Sequence, residues 1–532
     1  MSAVSRLPLI LLPLALFAWF FHPAMLDPTN IGWILRGTDN GEGALGLHAW
    51  LHGGHGFLRT GLLNAPEGVS LLFTDSNPLV ALLLTPFAGL LPADFQMVGP
   101  WILFCLVLHV AFARALLKDY APDTATLWIG VALLSLLPTL YARYVHWNLM
   151  PHWLILWALW LFVSPRRASN LQAWGLLMLG AVLIHSYLLV MVAAIWASAM
   201  LERFATAPSP RDRLRIVIGA LVIAAMTAGI ALALGAGGSY APTNTYGFFA
   251  MPLDALWNPA TDSYSVFLPA TTQRDGRDFE GFQYLGLGLL ILLPLALAVA
   301  GRTKPRAEEA GVLRRLLWLA PALAVLTLVA VSNWPHFAGS PVGKLPLPTF
   351  LAPITDMVRA SGRLFWPTAY TLVFAGIVAL YRLSLPRARL LLAALLAVQF
   401  FDMLGMHIAI GGFHAREVAH SVYEKTPDPR WDTLIAGARD IAFEPADVTL
   451  DLQRFQEIAW RAVKAGKPVR SLYAARTPVE TQLRQARESA AFQRGERVAG
   501  RMYVLIAGAK PPAGMPAVAI DGVYVVPAVS VR

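Results

Sequence analysis

The chain has 532 residues, 57% of them hydrophobic and 14% charged, with a formal net charge of +10 and a mean hydropathy of +0.56. Soluble domains carry roughly 25% charged and about 45–50% apolar residues, so this composition cannot clothe a water-soluble core and points to a polytopic membrane protein. It excludes collagen-like, coiled-coil, disordered and disulfide-scaffold classes, and the single cysteine, Cys105, forbids an intramolecular disulfide.

The first apolar run, Met1–Leu26, carries Arg6 and no small-x-small cleavage site, which predicts an uncleaved first helix rather than a removed signal peptide. Residues 78–91, opened by Pro78 and closed by Pro92, are too short to cross a bilayer and read as a helix lying at the interface. Apolar runs near 95–117, 126–142, 150–163, 172–186, 187–201, 216–235, 285–301, 316–332, 366–383 and 389–408 predict further spans. With the first, that makes eleven; the long stretch 171–204 divides at the polar His185-Ser186-Tyr187.

With the N-terminus inside, this path puts the Arg- and Lys-rich loops around 114–118, 166–167, 203–215, 302–315 and 382–389 in the cytoplasm. Retained cytoplasmic cations account for the excess of Lys and Arg, and no nucleic-acid partner is expected. Outside lie loops 27–94, 236–284 and 333–365 and the segment 409–532. That segment mixes helical stretches at 450–465 and 478–494 with β-like runs at 501–507 and 523–528, punctuated by Gly514-Met515-Pro516 and Asp521-Gly522. The expected fold is an all-α polytopic domain over 1–408 with interfacial helices and a small α/β domain over 409–532. The expected location is a bacterial cytoplasmic (inner) membrane, with the C-terminal domain periplasmic. No internal repeat, P-loop, dinucleotide fingerprint or zinc-finger spacing is present.

Candidate chemistry lies in the outer loops. Asp39, in Arg36-Gly37-Thr38-Asp39-Asn40-Gly41-Glu42, is either a general base beside the membrane or the N-cap of the helix that follows. His48 and His52 stand one turn apart on that helix, whose apolar side suits a membrane surface; no Cys or carboxylate completes a metal set around them. Asp75, in Phe73-Thr74-Asp75-Ser76-Asn77-Pro78, reads as a cap for the interfacial helix. Arg143, His146 and His152 fall in one turn between spans, where Trp and Tyr are ordinary belt residues but an Arg and two His indicate a polar cleft. Arg359 and Arg363 precede the tenth predicted span. The Arg363 fork suits either a phosphate or snorkelling to headgroups. Asp402 is the one acid inside a predicted span, which marks it as a functional suspect without forming a proton relay.

Taken together, these pieces resemble the GT-C class of polyprenyl-phosphate-dependent membrane glycosyltransferases. The layout also looks like an uncharacterised family of bacterial multi-spanning proteins on the same plan. The residues that carry the likeness are Phe73-Thr74-Asp75-Ser76-Asn77-Pro78-Leu79, Pro151-His152-Trp153-Leu154 and Ser361-Gly362-Arg363-Leu364-Phe365-Trp366-Pro367. The resemblance implies that Asp39 is the catalytic carboxylate and that Arg363, with Arg143 or Arg359, holds the phosphate of a polyprenyl-linked sugar. His146, His152 and Asp75 fall in the same outer cleft as substrate contacts. The acceptor is an envelope glycan, lipid or protein. Two features depart from the class: Asn40 follows Asp39 where protein mannosyltransferases carry an acidic pair, and no Trp-Trp-Asp motif is present. Members of the class differ in using a divalent metal, and no complete ligand set is legible here. The competing readings are a lipid or polysaccharide transporter, for which matched halves are missing, and a non-catalytic scaffold of an envelope-glycan assembly.

Overall fold

The computed structural model describes residues 7–274 and 276–529; Arg6 lies outside them. Five helices are long and apolar enough to cross a membrane: Val98–Leu117, Ser186–Thr206, Pro210–Ala233, Glu309–Val331 and Ser361–Leu380. A sixth is the pair Leu385–Asp402 and Leu404–Glu417, bent by 44° at Met403. The eleven spans expected from hydropathy are therefore a correction. Pro8–Phe20, Thr124–Ser135, Trp153–Phe162, Leu171–Ile184 and Leu287–Arg302 are apolar helices of 13, 12, 10, 14 and 16 residues, short of the ~20 that a crossing needs. Apolar composition continues past their ends, but prolines and polar caps stop the helix: Pro138 follows the second, and His185 stops the fourth. There His185 accepts from the Tyr187 N–H at 3.1 Å and starts the next helix.

Charged residues gather at one end of this bundle. Arg167 pairs with Asp119 at 2.9 Å, Arg315 with Glu202 at 2.6 Å, Arg382 with Glu309 at 2.8 Å, and Arg389 with Asp123. These four ion pairs involve seven helices at that end of the bundle. Asp402 sits at the other end and is structural. It accepts hydrogen bonds from Ser265 Oγ, from Tyr284 OH at 2.5 Å and from the Leu287 N–H at 2.9 Å. One turn earlier, Gln399 donates to the carbonyls of Leu136 at 2.8 Å and Leu285 at 2.9 Å. Together they dock the loop before Leu287–Arg302 onto the bent helix. Asp402→Leu leaves the Ser265 hydroxyl hydrogen and the Leu287 N–H without an acceptor, each costing about 1–3 kcal/mol, while Tyr284 OH retains Ser265 Oγ at 3.3 Å. The expected outcome is faster limited proteolysis within 254–285; cleavage at the wild-type rate would show the latch to be dispensable.

The C-terminal region carries a four-stranded sheet, β1 Asp440–Glu444, β2 Arg501–Leu505, β3 Val518–Ile520 and β4 Val523–Val526, in the order β1-β2-β4-β3. β1 and β2 are parallel, with Ile441 opposite Met502; the β2–β4 and β4–β3 pairs are antiparallel. Helices Arg430–Ala436, Leu452–Lys464 and Val479–Gln493 complete it. Two of these helices and two of the strands lie where the sequence predicts them; β1 and β3 were not predicted. This region does not stand apart from the bundle. Val469 bridges in parallel to Ile441 and to Leu63 of the first long loop, and Leu452–Lys464 packs along the helix Asp39–Gly53.

Candidate functional site

The helix Asp39–Gly53 is the base of the site. Its N-cap is Thr38, whose side chain makes no cap bond; the Gly37 N–H donates at 2.8 Å to Gln456 Oε1, and Gln456 Nε2 donates at 2.9 Å to the Thr38 carbonyl. The helix start is thus held by a residue of the C-terminal region, and the Asp39 carboxylate is not used as a cap. Asn40 draws in the turn 143–147: its Nδ2 donates to the Tyr144 carbonyl and its Oδ1 accepts from the Trp147 N–H, both at 3.0 Å. Gly46 permits the approach of the loop 74–76, since a Cβ there would collide with Ser76 Oγ and Thr74 Oγ1. Residues 40–49 of the helix are buried, with Leu452–Lys464 of the C-terminal region packed along it, which corrects its reading as a membrane-surface element. His48 is stacked on Trp460 with ring centroids 3.8 Å apart. Among the described residues, no group of three or more His, Cys, Asp or Glu could hold a metal ion.

Packing these elements together leaves a cavity of about 370 Å³. It is lined by the acids Asp39, Glu42, Asp75 and Glu280, by His146 and His185, and by Arg359 and Arg363. Asp39 Oδ2 lies 3.1 Å from His146 Nε2. That same nitrogen is 3.3 Å from Arg363 Nη2, so it serves one neighbour at a time. As N–H it donates to Asp39; unprotonated, it accepts from Arg363. The Tyr473 hydroxyl donates to Asp39 Oδ1 at 3.0 Å.

Tyr473 arrives on a strap from the C-terminal region that crosses the cavity. The Ala475 N–H donates to the Phe73 carbonyl at 2.9 Å, the Ala241 N–H to the Thr477 carbonyl at 3.1 Å, and the Val479 N–H to the Ser239 carbonyl at 3.2 Å. Arg476 donates to the Asp356 carbonyl.

Burial acts differently on each acid. It pushes the Glu42 carboxyl well above the usual carboxylate range, reinforced by the charges of Asp75 and Asp39. Glu42 Oε1 has no hydrogen-bond partner, as suits a group that keeps its proton. Burial also raises Asp75, with His146 and Arg363 pulling the other way. His185 is driven well below its ordinary value by burial and then by Arg363. Its 3.6 Å approach to Asp75 is therefore a contact with a neutral imidazole at neutral pH and not an ion pair. Glu280 is the opposite case: burial raises it, but Arg363 and Arg143 outweigh burial and hold it well below the usual range.

The cavity brings together Asp39, Asp75, His146, Arg359 and Arg363. Four expectations need correction. Asp75 is not the cap of the Pro78 helix; Asn77 is, accepting from the Val80 N–H at 3.2 Å. Arg143 does not line the cavity: it lies behind Glu280, donating to Glu280 Oε2 at 2.7 Å and to the Phe279 carbonyl at 2.9 Å. His152 is buried in the bundle, hydrogen-bonded to Tyr370 OH at 2.9 Å and packed on Trp366. The Arg363 fork is closed on Glu280, through Nε at 2.6 Å and through Nη2. Arg359 and Arg476 are the cavity arginines with no carboxylate within ion-pair distance among the described residues; Arg359 lies over the Phe249 ring at 6.0 Å, and Arg476 is engaged with the Asp356 carbonyl. Sequence reading overlooked Glu42, His185, Glu280, Tyr473 and Arg476. Only Glu42 left a local signal, three residues after Asp39 and so on the same helix face.

Fold and site define a helical, membrane-type chain whose C-terminal sheet region completes an acidic and basic cavity. A domain of unknown function (DUF6311) matches residues 10–404, and the DUF6311 C-terminal domain matches 430–528. The chain belongs to the DUF6311 family. No curated protein and no solved structure matches it.

Proposed function

We propose that this protein is a membrane glycosyltransferase that moves a sugar from a polyprenyl-phosphate-linked donor to an acceptor hydroxyl outside a bacterial inner membrane. The observation that carries this reading is the shared cavity: a carboxylate with two donors, Asp39, and an arginine without an ion-paired carboxylate, Arg359, line one space of about 370 Å³. Asp39 takes the proton of the acceptor hydroxyl as its oxygen bonds to the anomeric carbon. The bond from that carbon to the phosphate oxygen breaks, and its electron pair stays on the lipid phosphate. Arg359 meets that charge directly, and Arg363 adds to the positive field from its place on Glu280. Charge supports a sidedness for this reading: the arginines at the far end of the bundle suit the cytoplasmic face, and the cavity and the sheet region are then on the periplasmic side.

The test is to incubate the purified full chain with radiolabelled polyprenyl-phospho-sugar. Labelled acceptor or released lipid phosphate is the expected result. Label moved across liposomes without transfer would make the protein a flippase, and neither outcome would make it a scaffold.

A further inference from the structure

The stretch between the spans Glu309–Val331 and Ser361–Leu380 has an unusual surface. Residues 340–350 are exposed without a break, and only Lys344 among them is charged. Leu345 is 68% exposed, Phe350 75%, Ile354 59% and Met357 63%. Contiguous exposed apolar surface of this kind marks a partner or a lipid surface. Position favours lipid, because both flanks of the stretch are helix ends at the limit of an apolar span, so the stretch is tethered at the membrane boundary on both sides. Lys344, set over Trp334 at 4.9 Å, is the cation-and-aromatic pairing of a headgroup region.

The inner end of the stretch is fixed to the cavity. Asp356 Oδ1 accepts from Thr243 Oγ1 at 3.1 Å and from the Asn244 N–H at 3.0 Å, and Met357 and Arg359 both line the cavity. An apolar strip thus runs from the lipid surface to an arginine free of carboxylates. We propose that segment 340–357 lies in the membrane interface and guides the hydrocarbon tail of a long-chain lipid phosphate, delivering its phosphate to Arg359. This rests on the polyprenyl-phosphate reading of the cavity, and it is tested by binding alone.

The full chain in lipid nanodiscs is titrated with undecaprenyl phosphate and with geranyl phosphate. Phe350→Asp combined with Ile354→Asp removes apolar contact with a tail and is expected to weaken undecaprenyl phosphate at least about tenfold, leaving geranyl phosphate unchanged. Arg359→Gln is expected to weaken both ligands alike. Unchanged undecaprenyl binding in the double variant, or equal loss of both ligands, overturns the proposal. A fluorophore placed through Phe350→Cys, with Cys105 buried, is expected to be quenched by lipids brominated in the acyl chain, and no quenching overturns it equally. If binding behaves as expected and no sugar is transferred, the glycosyltransferase reading fails while this one stands.

Discussion

Asp39→Asn is expected to slow sugar transfer severely and to leave the fold intact, if the proposed transfer is the protein's reaction. General-base catalysis contributes about 100- to 10,000-fold to such a step, and the variant is expected to lose a factor in that range in initial rate. Its melting curve should overlay that of the wild type. Asparagine keeps the shape of the side chain and an oxygen that accepts from the Tyr473 hydroxyl at Oδ1; what it loses is the ability to take a proton. The side chain is 22% exposed, so no buried charge is removed and no large change in stability follows. Neither neighbouring acid substitutes well. Glu42 and Asp75 are both pushed up by burial, Glu42 the more strongly, which disfavours the charged form that a base requires. Transfer at the wild-type rate in Asp39→Asn would remove the assignment outright.

Asp39 and Arg363 were legible in the sequence because each stands beside the entrance of an apolar helix, where packing asks for no charge. Arg143 and His152 were misread for the same reason. A polar residue at a helix entrance can face inward, and sequence spacing does not say which way the turn points. His152 met Tyr370 and Trp366 in the bundle, whereas His146, six residues earlier, met Asp39. The span count failed on a related limit: hydropathy averages over a window, while Pro138 ends a helix abruptly; the break at His185 was legible, but it leaves the helix before it only 14 residues long. Tyr473 and Glu280 were invisible because they reach the cavity through long-range packing of irregular segments, which have no period to read. Gln456 is the plainest case: nothing near it in sequence indicates that it holds Gly37 and Thr38, the two residues before the helix that begins at Asp39.

Glu280→Gln is expected to damage stability more than any other single change near the cavity. Glu280 is the common acceptor of two buried guanidiniums, taking Arg143 Nη1 at 2.7 Å and Arg363 Nε at 2.6 Å, with Arg363 Nη2 as a third donor. A neutral amide of the same size leaves two buried cations facing each other. Breaking such a group by removing one partner costs about 3–5 kcal/mol, read as a lower unfolding temperature for the detergent-solubilised chain by tryptophan fluorescence. The pH dependence has a defined sign. The Glu280 carboxyl lies below its ordinary value of 4.5 in the folded chain. Its contribution is therefore fully present above that value and is lost as the pH falls toward the lower folded one. The gap in melting temperature between wild type and Glu280→Gln should be constant at neutral pH and narrow on acidification below about pH 4.5; a gap that ignores acid would place the stabilisation elsewhere. Replacing Arg143, Glu280 and Arg363 together by Met separates stability from chemistry. Apolar replacement of a whole buried ion group is often neutral or stabilising, so the triple variant should melt above Glu280→Gln. If it also fails to transfer sugar, the charges are kept for the field they place in the cavity that Asp39 lines, and the fold alone does not require them.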